Sequence, residues 1–291
     1  MKPNCPFCAR DSFSSEVRFH VVAAGHFRRS SDSRWIQRFR CRRCRRSFST
    51  ATFHPCYRQK KRQFNDRVRK YLCSGVSGRR LAKLLNLNRK TVARKLGYLG
   101  VQAMLRIEAR NRAQEEATII EFDDLETFEH SKCKPLSVTL AVEHKTRRIL
   151  GFEVSQMPAK GKLSRLALKK YGPRKDERAG ARERLFQKIK PLIHDEALIK
   201  SDENPHYISP VRRHFPNATH ERHKGQRGSI VGQGELKKVR FDPLFSLNHT
   251  CAMLRANVNR LFRRTWCTTK LPERLSLHLA MYVDFHNELL I

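Results

Sequence analysis

Thr118-Ile119-Ile120-Glu121-Phe122-Asp123-Asp124 is the stretch on which the reading of this chain turns. Its β-branched and aromatic residues predict a strand over 118–123 that runs into an acidic pair. Leu136–Val142 and Ile149–Val154 are the next aliphatic runs, and the polar segment Glu143–Arg148 between them fits a turn. Residues 176–194 read as a helix. The short apolar run Leu198-Ile199-Lys200-Ser201 follows and stops at Asp202. Asp123 and Asp202 stand 79 positions apart, which leaves room for two further strands and a helix. That order suits a sheet in which the first and fourth strands are neighbours.

The C-terminal part continues in helical style. Lys224–Gly234 holds Gly225, Gly228, Gly232 and Gly234 and reads as a loop. Leu247, Cys251, Leu254, Val258, Leu261 and Thr265 recur on one helical face. Leu275, Leu279, Tyr282, Phe285 and Leu289 form a second such face.

Carboxylates at strand ends are informative in so basic a chain. Attack on a phosphodiester uses two divalent cations about 4 Å apart, and carboxylates from separate elements must converge to hold them. Asp123 and Asp202 are the candidate catalytic and magnesium-ligating residues, with Asp124 the neighbour most easily confused with the first. The bland alternatives are a strand-end turn residue at Asp123 and a helix cap at Asp202. His220, His223 and His249 lie nearby in sequence, as phosphate contacts or as ordinary surface histidines.

Upstream, Ser77-Gly78-Arg79-Arg80-Leu81-Ala82-Lys83-Leu84-Leu85 reads as a short amphipathic helix with Ser77 as its N-cap. Asn86-Leu87 makes a turn, and Asn88 caps a second helix over Arg89–Leu96. That helix buries Val92 and Leu96 and presents Arg89, Lys90, Ala93 and Arg94 on the other side. A recognition helix needs this division, so Arg89, Lys90 and Arg94 are the candidate DNA-binding residues. An ordinary helical hairpin with a solvated face has the same pattern.

At the N-terminus, Cys5-Pro6-Phe7-Cys8 and Cys41-Arg42-Arg43-Cys44 are two C-x-x-C knuckles. Two such knuckles supply the four soft ligands of a tetrahedral zinc, with Phe39 and Phe48 placed to pack around it. Cys56 and His54 are near enough in sequence to substitute as ligands.

Composition frames these motifs. The 291 residues carry 61 Lys+Arg against 27 Asp+Glu, a formal charge of +34. Such an excess predicts a polyanionic partner, with nucleic acid the commonest. A merely basic soluble protein is the competing reading. The basic residues run through the whole chain and form no single amphipathic stripe, and no apolar run is long enough to span a bilayer, so no membrane role is expected. Nine cysteines, an odd number with four in close pairs, argue for metal-bound thiolates in a reducing cytosol.

Taken in order, these stretches resemble DDE-type transposases of bacterial insertion sequences. That family carries an N-terminal zinc ribbon, a helix-turn-helix and an RNase H-like catalytic domain. The resemblance spans nearly the whole chain. It rests on the ribbon ending Cys41–Cys44 with Phe48, on Val76–Leu96, on Glu121–Phe128, and on Ser201-Asp202 with Tyr207. The run Leu254–Thr265, with Arg255, Arg260-Leu261 and Arg263-Arg264-Thr265, completes it. It implies a multi-domain α+β and α/β chain: a zinc ribbon over 1–56, a helix-turn-helix domain and linker over 57–115, and an RNase H-like mixed sheet with flanking helices over 116–291.

The resemblance also implies roles. Asp123 becomes the first metal ligand and Asp202 the second. Register from the C-terminal run puts Asn248 at the third position, where the family has Glu; some related groups resemble this chain in having Asn there. Asn offers a neutral carbonyl oxygen to a hard cation. Glu235 and Glu273 are the other acidic candidates, and the absence of a third ligand is a further alternative. The implied cofactors are structural zinc and catalytic Mg²⁺ or Mn²⁺. The implied partner is double-stranded DNA, as element ends and target, bound by a homo-oligomer in the cytoplasm at the nucleoid. The implied activity is cleavage and strand transfer at terminal inverted repeats, which the ribbon and helix-turn-helix would recognise. Competing readings are a catalytically inactive, transposase-derived DNA-binding regulator and a nuclease without strand transfer.

Overall fold

The computed structural model describes residues 3–8, 20–30, 32–224, 242–262, 264 and 266–289. The chain divides into two compact units, Met1–Asp66 and Arg67–Ile291. The sequence places domain boundaries after residues 56 and 115. By packing, the helical segment after residue 66 and the large sheet belong to one compact unit.

In the first unit, β1 (Val21–Arg29), β2 (Arg34–Cys41) and β3 (Ser47–Ser49) form an antiparallel sheet in that order. Its core is Val21, Phe39 and Phe48 packed with Cys5, Cys8 and Cys41. Phe39 stacks on Phe48 with ring centres 5.5 Å apart. So small an apolar core rarely suffices by itself, and units of this size usually rely on metals or disulfides.

The second unit begins with α1 (Asn65–Leu72), α2 (Gly78–Leu84) and α3 (Arg89–Arg112). The strands β4 (Ala117–Phe128), β5 (Pro135–Glu143) and β6 (Ile149–Gln156) follow as an antiparallel meander. Next come α4 (Leu163–Tyr171) and α5 (Arg178–Ile189), then β7 (Ile193–Asp202), α6 (Ile208–His214) and β8 (Thr219–His223). Two further helices, α7 (Phe245–Asn257) and α8 (Pro272–Leu289), complete the chain. The sheet order is β6-β5-β4-β7-β8, with β7 parallel to β4 and β8 parallel to β7. The first and fourth strands of this sheet are therefore neighbours, as the spacing of the two aspartates suggested.

Element ends differ from the sequence reading for local reasons. The helix expected over 176–194 stops at Ile189, and Pro191 follows in a 3₁₀ turn. The strand leading to Asp202 consequently starts at Ile193, five residues before Leu198. The helical face expected to run from Leu247 to Thr265 ends with α7 at Asn257, where Val258 turns extended at φ −97° and ψ 100°. Val258 and Leu261 are still buried beyond that end. Thr265 lies outside the described residues.

The core sits on one face of β4, β5 and β6 under α5. Phe122 meets Phe186 edge to face at 5.2 Å, and Leu185 and Ile189 pack in the same cluster. The helices α3 and α8 cross at Gly100. A Cβ there would lie 2.6 Å from the Leu277 carbonyl oxygen. The fully buried Asp284 on α8 ties three helices together. It accepts from Arg69 Nη2 at 3.0 Å on α1 and from Arg106 Nη2 at 2.7 Å on α3, with Arg110 Nη1 at 3.4 Å.

Candidate functional site

Along β4 the side chains alternate, so Glu121 and Asp123 share one face and Phe122 and Asp124 the other. The parallel pairing sets Ile119 opposite Leu198, Ile120 opposite Ile199 and Glu121 opposite Lys200. The same register carried two residues on brings Asp123 level with Asp202. Neighbouring strands lie about 4.8 Å apart, so the two carboxylates leave adjacent strands at one height. Both line a cleft of about 360 Å³ with Asn204, Tyr207, Lys160, Arg178 and Arg255.

The two aspartates are held by neutral donors. Asp123 Oδ1 accepts from the Tyr207 hydroxyl at 3.0 Å and from the Asp124 N–H at 2.7 Å. Asp202 Oδ1 accepts from the Asn204 N–H at 3.0 Å. The other acids at the cleft have cationic partners. Asp124 takes Arg182 Nη1 at 3.2 Å and Thr139 Oγ1 at 2.5 Å, and Glu126 takes Lys160 Nζ at 2.7 Å. Burial pushes the Asp123 carboxyl up to about 6, and the charge of Asp202 adds to the shift. Burial and the nearby carboxylates raise Tyr207, so its hydroxyl stays protonated and donates. Two carboxylates from adjacent strands, each bonded by neutral donors, offer hard oxygen atoms of the kind a divalent cation takes.

The helix α7 covers the same face. Fully buried Glu121 anchors it, accepting from the Leu247 N–H at 2.8 Å through Oε2 and pairing with His144 Nδ1 at 2.5 Å through Oε1. From this helix Arg255 lines the cleft, and Cys251 lies within the field of Asp123. Burial first, then Asp123, pushes the Cys251 thiol up to about 12. Asn248 is placed differently. Its Nδ2 donates to Asp242 Oδ2 at 2.9 Å, and it does not line the cleft with Asp123 and Asp202. Glu273 is exposed in the first turn of α8, and Glu235 lies outside the described residues, as does most of Lys224–Gly234.

The candidate histidines scatter. His220 Nε2 sits 2.9 Å from Ser201 Oγ, and burial and Arg222 lower its pKa. His223 pairs across the sheet with Asp202. His249 contacts Arg147 Nη1 at 3.0 Å.

The two helices at 78–112 are capped as expected. Ser77 accepts from the Arg80 N–H at 3.3 Å, and Asn88 accepts from the Lys90 N–H at 2.8 Å. Asn86 adopts φ 48° in the turn between them. Arg89, Lys90 and Arg94 are exposed at the start of α3, while Val92 and Leu96 are buried. The helix runs on to Arg112, sixteen residues past Leu96.

In the first unit the four predicted cysteines converge. Cys5 and Cys44 Sγ are 3.6 Å apart, Cys8 and Cys41 Sγ 3.8 Å, and all four lie within 4.8 Å of one another. A tetrahedral ion with metal–sulfur bonds of about 2.3 Å needs sulfur–sulfur edges of about 3.8 Å. Disulfides at about 2.05 Å are excluded by the same distances. The cluster is therefore able to hold a structural zinc ion. His54 Nδ1 instead accepts from the Cys56 N–H at 3.0 Å, and neither residue belongs to the cluster.

Sequence reasoning missed the anchoring role of Glu121 and the pairing of Arg182 with Asp124. Two-residue periodicity put Glu121 on the Asp123 face, a signal available from the strand alone. Nothing in the sequence pointed Arg182 at Asp124. No helix among the described residues is long and apolar enough to cross a membrane. Searches of the chain against protein families and against curated proteins give no match.

Proposed function

We propose that this chain is a DNA transposase of the DDE type, with an RNase H-like catalytic fold, acting on the ends of an insertion element. The observation that carries this reading is that Asp123 and Asp202, from adjacent parallel strands, line one cleft together with Lys160, Arg178 and Arg255. The strand order β6-β5-β4-β7-β8 supports the same reading.

In this account Asp123 and Asp202 hold Mg²⁺ or Mn²⁺. When bound, the metal supplies activation of the attacking oxygen and charge stabilisation at the phosphate. Tyr207 orients Asp123 through its hydroxyl. Lys160, Arg178 and Arg255 draw the phosphate backbone into the cleft. Arg89, Lys90 and Arg94 contact duplex DNA from the start of α3. The four-cysteine cluster holds zinc and keeps the first unit folded. A pair of DNA ends would be brought together by a homo-oligomer in the cytoplasm at the nucleoid.

A second reading has its own observation. Asn248 is turned to Asp242, and α7 presents Arg255 to the cleft where a third acidic ligand is expected. That arrangement favours a DNA-binding regulator without catalysis. The test is Mg²⁺- or Mn²⁺-dependent cleavage and joining of DNA carrying the inverted repeats that flank the coding region. Wild type should cleave and join, while Asp123→Ala and Asp202→Ala should bind without cleaving. Binding without cleavage by wild type selects the regulator, and cleavage without joining selects a nuclease.

A further inference from the structure

The hairpin of β1 and β2 has a composition that the zinc cluster does not explain. His26, Arg28, Arg34, Arg38 and Arg40 are all exposed along it. Trp35 is 70 % exposed, although a tryptophan is among the side chains that gain most from burial. Trp35 stands directly across from Arg28, so the two share one face near the hairpin tip.

The tip itself is held in shape. Asp32 is the one acidic residue between His20 and Cys41. It receives a two-pronged hydrogen bond from Arg29, at 2.7 Å from Nε and 2.6 Å from Nη2, and also binds Arg62. Its negative charge is thereby spent inside the hairpin. Arg29 most strongly, then Arg34, holds the Asp32 carboxyl below its ordinary range. Arg28 and His26 share the Trp35 face, while Arg34, Arg38 and Arg40 point from the other face of β2, so both sides of the ribbon carry exposed basic residues. Gly25, at φ 74°, sits where the register slips between Ala23 and His26, and such bulges add twist to a ribbon.

We infer that the β1–β2 hairpin is a second DNA-reading element, entering the major groove of duplex DNA with Trp35 and Arg28 on its leading face. This rests on the DNA-binding reading above. Charge complementarity selects the partner. Groove width selects the mode, because a two-stranded ribbon fits the roughly 12 Å major groove and not the roughly 6 Å minor groove. Arg28 would take a base edge or phosphate beside Trp35, and Arg34, on the other face of the ribbon, a phosphate of the groove wall. The ring of Trp35 would meet the apolar methyl groups that thymine shows in that groove.

The test uses the full zinc-loaded chain. The chain has two tryptophans, so Trp266→Phe leaves Trp35 as the only fluorescent reporter. Titration with duplex DNA should change Trp35 emission saturably. Arg28→Gln with Arg34→Gln should weaken duplex binding about tenfold and flatten its log-salt slope by about 2. Unchanged zinc content and Trp35 emission in the free double variant establish that it is folded. Reverting each arginine singly should restore about half of the slope change each. DNA binding measured by anisotropy, with constant Trp35 emission and an unaltered salt slope, overturns the hairpin assignment and leaves DNA binding standing. A stronger response to single-stranded than to duplex DNA overturns the groove geometry. Failure to bind any duplex removes the parent reading and this one together.

Discussion

Glu121 Oε2 accepts the backbone N–H of Leu247, so a residue two places before Asp123 fixes the first turn of the helix that carries Arg255. Ser246 adds a second tie, accepting from the Lys145 N–H at 2.9 Å. The acidic strand and the covering helix are thus registered to one another by a buried carboxylate at a helix N-terminus, where negative charge is favoured. Glu121→Ala strands both Leu247 N–H and His144. It should destabilise the chain by about 3 kcal/mol in denaturant titration, and Glu121→Gln by less, since its carbonyl oxygen still accepts from Leu247. Equal stability of wild type and Glu121→Ala would show that α7 is held by other contacts.

The carboxyl of Asp123 makes stability depend on pH in a defined direction. Its pKa rises to about 6 in the folded chain, above the ordinary value of 3.8. Below about pH 4 both folded and unfolded chains hold this proton, and its stabilising contribution is complete. As pH rises through 6 the unfolded chain has released it first, so that contribution is lost. With chelator present, Asp123→Asn should therefore be more stable than wild type at pH 7, by about 3 kcal/mol. The gap should close by pH 4. Thermal melts at the two pH values decide this, and added Mg²⁺ should stabilise wild type alone.

Gly100 admits no side chain. A Cβ there would meet Leu277 Cβ at 2.7 Å and Cα at 2.9 Å as well as the carbonyl oxygen, and backbone cannot swing away as a flexible side chain does. Gly100→Ala should separate α3 from α8 and lower stability by about 2 kcal/mol or more. Gly161→Ala is the contrast: its Cβ meets open space, although its φ of 59° still disfavours alanine. A Gly100→Ala protein that melts with wild type would mean the two helices can shift freely.

Removing metal should act on one unit. A chelator strong enough to strip zinc, or Cys41→Ser, should unfold Met1–Asp66 while the far-UV signal and melt of the larger unit persist. Metal analysis should find one zinc per wild-type chain and less in the variant. Full zinc retention by Cys41→Ser would remove that cysteine from the ligand set.

Asp284 gathers three guanidinium groups in the interior. Asp284→Ala leaves Arg69, Arg106 and Arg110 facing one another, with half-exposed Glu288 still on Arg69. A loss of about 3–5 kcal/mol is expected, read as a lower denaturant midpoint.

Much of this architecture was legible because it depends on local signals. Ser77 and Asn88 announce helix starts by residue type alone, and two C-x-x-C pairs announce a metal cage at any separation. The run Thr118–Asp123 and the end of β7 are legible because buried strands read as aliphatic runs. What escaped depends on distant partners. The length of α3 is set by its packing on α8, which no window of sequence contains. The strand β8, Thr219–His223, is short and polar and owes its place to the neighbouring β7. Asn248 sits in the expected stretch, yet its direction is decided by Asp242, six residues earlier in the chain. Sequence spacing placed it along the helix and not on the side toward which it turns.

Because β4 and β7 are parallel neighbours, the gap between the two aspartates is set by ladder spacing and not by the number of residues linking them. The linking segment between β6 and β7 leaves the sheet, forms α4 and α5, and returns. Residues 157–177 can therefore lengthen, shorten or acquire a new appendage at the flank, and the distance across the carboxylate pair is insulated from that change. A chain built this way can trade its outer ornaments freely while the corner between Asp123 and Asp202 keeps the same dimensions.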